Sequence, residues 1–106
     1  MPEPLDPVRA AADEAIRCWP DVHAKQVFGH RGYVRMKKMF AFIAEDGLAF
    51  KSTPQAAEAL YASGEAVPFV YSAEMEMRGW PVMPLSGDES LERALSAARD
   101  AYESVG

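Results

Sequence analysis

The feature that most constrains the fold of this sequence is the run from Val27 to Lys51, where short apolar stretches alternate with turn residues. Within it apolar side chains recur with a period of two, which is the period of a β-strand and not of a helix. The Asp46-Gly47 pair favours a hairpin, because glycine accepts the positive φ that a tight turn requires. We assign the first turn to Gly29 and Gly32 and the second to Lys37-Lys38. The alternation predicts strands at residues 24–28, 33–37, 39–44 and 48–51.

Residue types at helix ends predict two helices that flank these strands. The N-terminal helix begins with Asp6 as its cap and Pro7 in its first position, where the missing N–H costs nothing, and Pro20 stops it. A middle helix begins at Ser52-Thr53-Pro54 and ends at Gly64, a typical C-terminal cap. The apolar faces are Val8, Ala12, Ala15, Ile16 and Trp19 in the first helix and Ala57, Leu60 and Tyr61 in the second.

The C-terminal part of the chain predicts one more strand and a third helix. Two prolines within residues 80–85 each remove a donor from a sheet ladder, so this run is predicted to be an edge strand. The last helix follows Gly87, and its predicted buried stripe is Leu91, Leu95, Ala98 and Tyr102. Together the elements favour an α+β fold, with an antiparallel sheet of four to six short strands packed with an N-terminal, a middle and a C-terminal helix. We expect residues 1–106 to form a single domain.

Charge and cysteine content narrow the range of partners and locations. The net charge is −5, which opposes binding to nucleic acid or to an anionic membrane except through a local basic patch. No apolar run reaches the roughly 18 residues that span a bilayer, and residues 1–6 lack the features of a secretory signal, so we expect no membrane partner. The single cysteine, Cys18, excludes an intramolecular disulfide and is typical of the cytoplasm. We expect it to pack between helix and sheet.

Two blocks of the sequence resemble the N-terminal domain of the TfoX/Sxy competence-regulator family, and the likeness covers about residues 8–105. The motifs that carry it are Val27-Phe28-Gly29, Met39 to Ile43, the Asp46-Gly47 turn, Met77-Arg78-Gly79-Trp80 and the terminal helix near Ala101-Tyr102. Related YjbR-type proteins share an α+β arrangement and have been proposed to touch DNA. The resemblance implies a regulatory protein, and its motifs are structural rather than catalytic.

A basic block stands out in this acidic chain. Between Val22 and Ala44 there are five Lys or Arg residues and no Asp or Glu. Tyr33 and Arg35 share a face by strand alternation, which places an aromatic ring beside a cation as base stacking requires. The alternative is that these cations protect edge strands and turns from aggregation. The candidate nucleic-acid-binding residues are Lys25, His30, Arg31, Tyr33, Arg35, Lys37 and Lys38.

Catalytic and metal-binding patterns are weak throughout the sequence. Cys18, His23 and His30 have no fourth ligand at a recognised spacing, so we predict no metal site and no cofactor. The carboxylates are scattered and form no evident acid–base pair. The glycine pair at residues 29–32 lacks the lysine and the strand-to-helix context of a phosphate-binding loop. We therefore predict that the protein is not an enzyme.

Aromatic and thioether side chains near Trp80 form the second candidate surface. The candidate interface residues are Met77, Arg78, Trp80 and Met83, which are suited either to filling a core or to binding a partner. The leading hypothesis is a non-enzymatic TfoX N-terminal-like domain that acts through protein or nucleic-acid contacts. One alternative is a small-molecule-binding or enzymatic domain with a pocket near His30, Tyr33 and Arg35. Another is a homodimeric module that pairs through the Trp80 edge.

Overall fold

The computed structural model describes residues 7–27, 30–44, 47–72 and 75–105, which form three helices and six strands. In chain order the elements are α1 (Pro7–Arg17), β1 (Val22–Val27), β2 (His30–Arg35), β3 (Lys38–Ala44), β4 (Gly47–Phe50), α2 (Pro54–Ser63), β5 (Val67–Ser72), β6 (Met75–Met83) and α3 (Asp88–Ser104). The predicted cap Asp6 and the predicted turn residues Gly29 and Asp46 lie outside the described residues.

All six strands form one antiparallel sheet in the order β1-β2-β3-β4-β6-β5, and the predicted α+β fold is confirmed. The prediction that the Trp80 run is an edge strand is wrong, because β6 lies between β4 and β5. Pro81 lies opposite Pro68 of β5, and pairing with β4 is made by Val82 and Met83, directly after Pro81. Pro68 and Pro81 therefore lack their N–H donors at a single position of the ladder, and β6 pairs with β4 on one side and with β5 on the other.

The turns between strands explain why the strands differ by a few residues from their predicted bounds. Arg35 pairs with Lys38, so the β2–β3 turn consists of Met36 and Lys37 and not of Lys37-Lys38. Gly47 begins β4 with φ 152°, and a Cβ there would lie 2.0 Å from the carbonyl oxygen of Met83. Glycine is required at this position because the β6 backbone passes directly against it.

The predicted ends of the helices are confirmed where the structure describes them. Pro7 is the first residue of α1, and Thr53 caps α2 by accepting a hydrogen bond from the backbone N–H of Ala56 over 3.3 Å. Gly64 ends α2 in the left-handed conformation, φ 81°, and its N–H bonds the last carbonyls of the helix. In α3, Ala98 and Tyr102 of the predicted stripe are buried, whereas Leu91 and Leu95 are half-buried.

The three helices pack on one face of the sheet, which we call the helix face. Its core includes the fully buried Ile16, Tyr33, Phe40 and Leu48, with Leu60 of α2 packed against it. The predicted burial of Cys18 is wrong, because α1 ends at Arg17 and the next residue lies exposed in the turn toward β1.

The opposite face of the sheet, which we call the open face, carries a second and smaller apolar cluster. Phe42, Ala44, Ala49 and Val82 are its buried members, and Met39, Phe69 and Trp80 pack against them. None of the described residues in this cluster belongs to a helix. The described fold is therefore two-layered, with helices on one side of the sheet only.

Candidate interaction surface

The sheet divides the predicted basic block between its two faces. Side chains alternate along β2, so Arg31, Tyr33 and Arg35 point to the helix face and His30 points to the open face. Lys25 pairs with Gly32, which is opposite Phe42 on the next strand, and these directly opposed residues share the open face. Lys37 and Lys38 are exposed at the β2–β3 turn. The residues of the block therefore do not form one continuous patch.

Asp13 of α1 is the centre of a buried polar network that holds the helix to β2. It is 6% exposed, and its Oδ1 accepts a hydrogen bond from the Tyr33 hydroxyl over 2.7 Å. Its Oδ2 pairs with Arg31 Nη1 at 3.0 Å and with Arg17 Nε at 3.2 Å. Arg31 and Arg17 are partly exposed, so solvent screens these two ion pairs, whereas the hydrogen bond from Tyr33 is buried. This network joins elements that are far apart in sequence.

The environment of Tyr33 keeps its hydroxyl neutral. Burial, followed by the hydrogen bond to Asp13 and the charge of that carboxylate, raises the pKa of Tyr33 well above its ordinary value. The side chain has no exposed area, so it presents no ring surface on which a base could stack. The position of Tyr33 is thus explained by its bond to Asp13.

Arg35 is engaged with the end of α3. Its Nη1 donates to the Tyr102 carbonyl over 2.9 Å, and its guanidinium carbon lies 4.0 Å from the centre of the Tyr102 ring. A cation at a helix C-terminus also interacts favourably with the helix dipole. Arg99 lies against the same ring, 4.7 Å from its centre, and 5.3 Å from the centre of the Trp19 ring. Arg35 therefore contributes to the packing of α3 on the sheet.

Three cations of the block remain exposed. Lys25, Lys37 and Lys38 form no ion pair and no side-chain hydrogen bond with the residues that the structure describes. Lys25 lies on the edge strand β1, and the other two lie at the turn. These lysines are the part of the predicted nucleic-acid-binding set whose charges are available to a partner.

An aromatic cluster occupies the centre of the open face. The Phe42 ring centre lies 4.8 Å from that of Phe69, 5.4 Å from Trp80 and 5.9 Å from His30. His30 and Phe69 also contact each other, with their ring centres 6.0 Å apart. These four residues come from β2, β3, β5 and β6, which only the folded sheet brings together. The contacts of Phe69 with Phe42 and with His30 are edge-to-face, and aromatic pairs of this kind contribute about 0.5–1.5 kcal/mol each.

The predicted interface residues are divided between the two faces as well. Trp80 belongs to the aromatic cluster, and Met77 lies opposite Phe69, so both are on the open face. Met83 is 6% exposed and is part of the core on the helix face. Arg78 turns toward α2, as described next. Half of the predicted set therefore shares the open face with His30.

Arg78 links β6 to α2 through a network at the surface. Its Nε and Nη2 donate to the two carboxylate oxygens of Glu58 over 2.7 and 2.8 Å, and Nη1 donates to Glu76. The Tyr61 hydroxyl donates to the Arg78 carbonyl over 2.7 Å. The hydrogen bond from Arg78 lowers the pKa of Glu58, and the bonds to Glu58 and Glu76 raise the pKa of Arg78. This contact orients α2, and it leaves Glu76 on the side away from the open face.

The charge on the open face differs from that of the rest of the molecule. The carboxylates of the described residues lie on the helices and in the loops beside them, except Glu76, which faces α2. Lys25 and His30 thus lie on a face where no described carboxylate opposes them. Although the net charge of the protein is −5, this face is suited to a partner segment that has both apolar side chains and carboxylates.

The predicted pocket near His30, Tyr33 and Arg35 is wrong, because the sheet separates His30 from the other two side chains. A different cavity, a groove of about 520 Å³, lies between α2 and α3. Phe50 and Leu60 are among its lining residues, and none of the predicted site residues lines it. No cluster of three or more His, Cys, Asp or Glu side chains suited to a metal ion occurs among the described residues.

The architecture is that of an α+β domain with helices on one side of an antiparallel sheet. Residues 14–105 match the TfoX N-terminal domain. This chain therefore belongs to the TfoX N-terminal domain family, as its sequence motifs predict. No curated protein matches the chain. Within the described part of the chain, no helix has the length and apolar character needed to cross a membrane.

Proposed function

We propose that this chain is a non-enzymatic regulatory domain that acts by binding a segment of another protein on its open face. The observation that carries the proposal is the aromatic cluster of His30, Phe42, Phe69 and Trp80 on a sheet face that no described helix covers. Aromatic side chains and methionine are enriched at protein interfaces, and Met77 lies on the same face.

Burial of the exposed parts of these aromatic rings would favour binding to this face. Trp80 and Phe69 are half-buried. Val67 lies in the same row of the sheet as Phe42 and is 54% exposed. If a partner covers about 50 Å² more of each ring, burial contributes about 1.3 kcal/mol per ring at 25 cal/mol per Å². Removing either ring is therefore expected to weaken binding about tenfold.

The test is selection from a library of random dodecamer peptides displayed on phage, with the domain immobilised. Enriched peptides are synthesised with a fluorescent label, and binding is measured by fluorescence polarisation to the wild type and to Trp80→Ala and Phe69→Ala. The matched control is Val70→Ala, because Val70 is 57% exposed on the same strand as Phe69 but on its other side. Thermal unfolding of each variant separates lost binding from lost folding.

We expect the two aromatic variants to lose binding while the control keeps it. If no peptide is enriched, or if the enriched peptides bind Trp80→Ala and Phe69→Ala as tightly as the wild type, the open face is not a protein-binding surface and the proposal fails.

A nucleic-acid contact is the second candidate function, supported by Lys25, Lys37 and Lys38, which are exposed and form no ion pair with the described residues. Two observations favour the protein partner: Arg31 and Arg35 are engaged inside the molecule, and the net charge is −5. Fluorescence anisotropy with labelled 20-mer single strands and duplexes at low and moderate salt tests this candidate. Absence of binding at low salt, or binding unchanged when the three lysines are replaced by glutamate, eliminates it.

A further inference from the structure

The β2–β3 turn has a backbone conformation that its residues disfavour. Met36 and Lys37 have φ of 53° and 67°, so two successive non-glycine residues lie in the left-handed region. A two-residue hairpin turn with both φ positive is a type I′ turn, for which Asn-Gly is the favoured sequence. Side chains with a Cβ are strained in this conformation. A turn selected for stability alone would not contain Met-Lys.

Nothing in the described structure offsets this strain by packing. Met36 is 64% exposed, more than the other exposed large apolar residues, Val67 and Val70, and Lys37 and Lys38 beside it are exposed and unpaired. We call Met36, Lys37 and Lys38 the basic tip. Backbone strain that persists without a structural benefit points to a role in contact with another molecule.

The basic tip is continuous with the open face. Val34 pairs with Met39 in the last row of that face before the turn, and Met39 packs against the Phe42 cluster. A segment that lies on the aromatic cluster and extends along β3 reaches the tip within a few residues, since a strand rises about 3.3 Å per residue.

We propose that the basic tip is the charged end of the partner-binding surface and that the partner segment is acidic. Its apolar side chains cover the aromatic cluster, a carboxylate pairs with Lys37, and Met36 inserts into the partner as an apolar anchor. Lys38 lies opposite Arg35 and adds positive charge on the other side of the turn. Charge complementarity supports this choice, because no described carboxylate lies on the open face and Lys25 adds a further positive charge there. The inference rests on the proposed function and adds the chemistry of the partner.

The test uses the same dodecamer library with three further variants. Met36→Asn combined with Lys37→Gly relieves the strain and removes the anchor and one charge. Lys37→Gln with Lys38→Gln removes only charge. Lys51→Gln is the matched control, because Lys51 is also exposed but lines the groove between α2 and α3.

We expect peptides enriched on the wild type to combine apolar residues with an excess of Asp and Glu. Their affinity should fall about tenfold in both tip variants, fall with salt in the wild type, and stay unchanged in Lys51→Gln. Selection on the Lys37→Gln, Lys38→Gln variant should give peptides that keep the apolar residues and lose most of the acidic excess. The midpoint of thermal unfolding of the Met36→Asn, Lys37→Gly variant should rise.

The two proposals fail in different ways. Peptides that depend on Trp80 but show no acidic excess, or that bind the tip variants at full affinity, overturn the role of the tip and leave the open face in place. Peptides that depend on the tip but not on Trp80 overturn the proposed function. A lower unfolding midpoint for the Met36→Asn, Lys37→Gly variant would show that the wild-type turn is not strained. Tip-dependent binding of a 20-base-pair duplex with no acidic peptide enriched identifies nucleic acid as the partner and overturns this inference.

Discussion

Replacing Tyr33 with phenylalanine removes one atom from the buried network, the hydroxyl that donates to Asp13 over 2.7 Å. The ring of this fully buried side chain stays in place, so packing of the core is preserved. Asp13 keeps Arg31 and Arg17 as partners. A hydrogen bond to a charged group contributes about 1.5–3 kcal/mol, so we expect Tyr33→Phe to lower the free energy of unfolding at pH 7 by about 2 kcal/mol.

The difference in stability between the wild type and Tyr33→Phe should decrease as the pH rises above 10. Burial and the bond to Asp13 raise the pKa of Tyr33 in the folded protein, whereas tyrosine in the unfolded chain ionises near pH 10. Below pH 10 both states bind this proton, and the stabilisation is fully present. Above pH 10 the unfolded chain releases the proton and the folded protein keeps it, so the stabilisation is lost by about 1.4 kcal/mol per pH unit.

Urea unfolding followed by circular dichroism at pH 7, 9, 10 and 11 measures this difference directly. The advantage of the wild type over Tyr33→Phe should be constant from pH 7 to 9 and about 1.4 kcal/mol smaller at pH 11. Tyr61→Phe is the control, because the Tyr61 hydroxyl donates to the Arg78 carbonyl at the surface and its removal should have a smaller effect. An equal difference at pH 9 and pH 11 would contradict the raised pKa of Tyr33 in the folded protein, and no loss of stability at pH 7 would contradict a stabilising bond to Asp13.

Three further predictions follow from backbone conformation and charge. Met36→Asn with Lys37→Gly should raise the free energy of unfolding by about 1–2 kcal/mol, measured by urea unfolding; a decrease contradicts the strain at φ 53° and 67°. Gly47→Ala should lower the free energy of unfolding by about 3 kcal/mol or more, because its Cβ would lie 2.0 Å from the Met83 carbonyl oxygen. Gly64→Ala has open space around it and should lower this free energy by only about 1 kcal/mol. Equal effects of the two substitutions would contradict the close approach at Gly47. Light scattering at high protein concentration should report a monomer, because two copies of charge −5 repel each other. A dimer that Trp80→Ala disrupts would instead show that the open face binds a second copy of this chain.

Local signals in the sequence predicted the three helices and the first four strands, but they did not assign β5 and they located only the end of β6. Thr53 and Gly64 act on backbone groups within a few residues of themselves, so the bounds of α2 follow from residue type alone. The alternation in β2 also predicted that Tyr33 and Arg35 share a face. Each of these inferences depends on contacts that are short in sequence.

The choice of face depends on contacts that are distant in sequence, and the sequence pattern could not supply it. Tyr33 points toward the helices because Asp13, 20 residues earlier, accepts a hydrogen bond from its hydroxyl. The one available signal was Asp13, which lies beside Ala12 and Ile16 in the apolar stripe of α1. A carboxylate in such a stripe indicates a buried partner. The aromatic cluster was missed for the same reason, since Phe42 and Trp80 become neighbours only when β6 lies next to β4.

The paired prolines also affect how the sheet opens. With Pro68 opposite Pro81 and a shift of register beside them, β5 is held to β6 by a discontinuous ladder, whereas β1 and β2 pair without interruption. Strands with fewer backbone hydrogen bonds open locally without unfolding the whole protein. Amides of β5 should therefore exchange with deuterium before those of β2 and β3. Phe69 on β5 is then the adjustable part of the aromatic surface, and Phe42 on β3 is its fixed part.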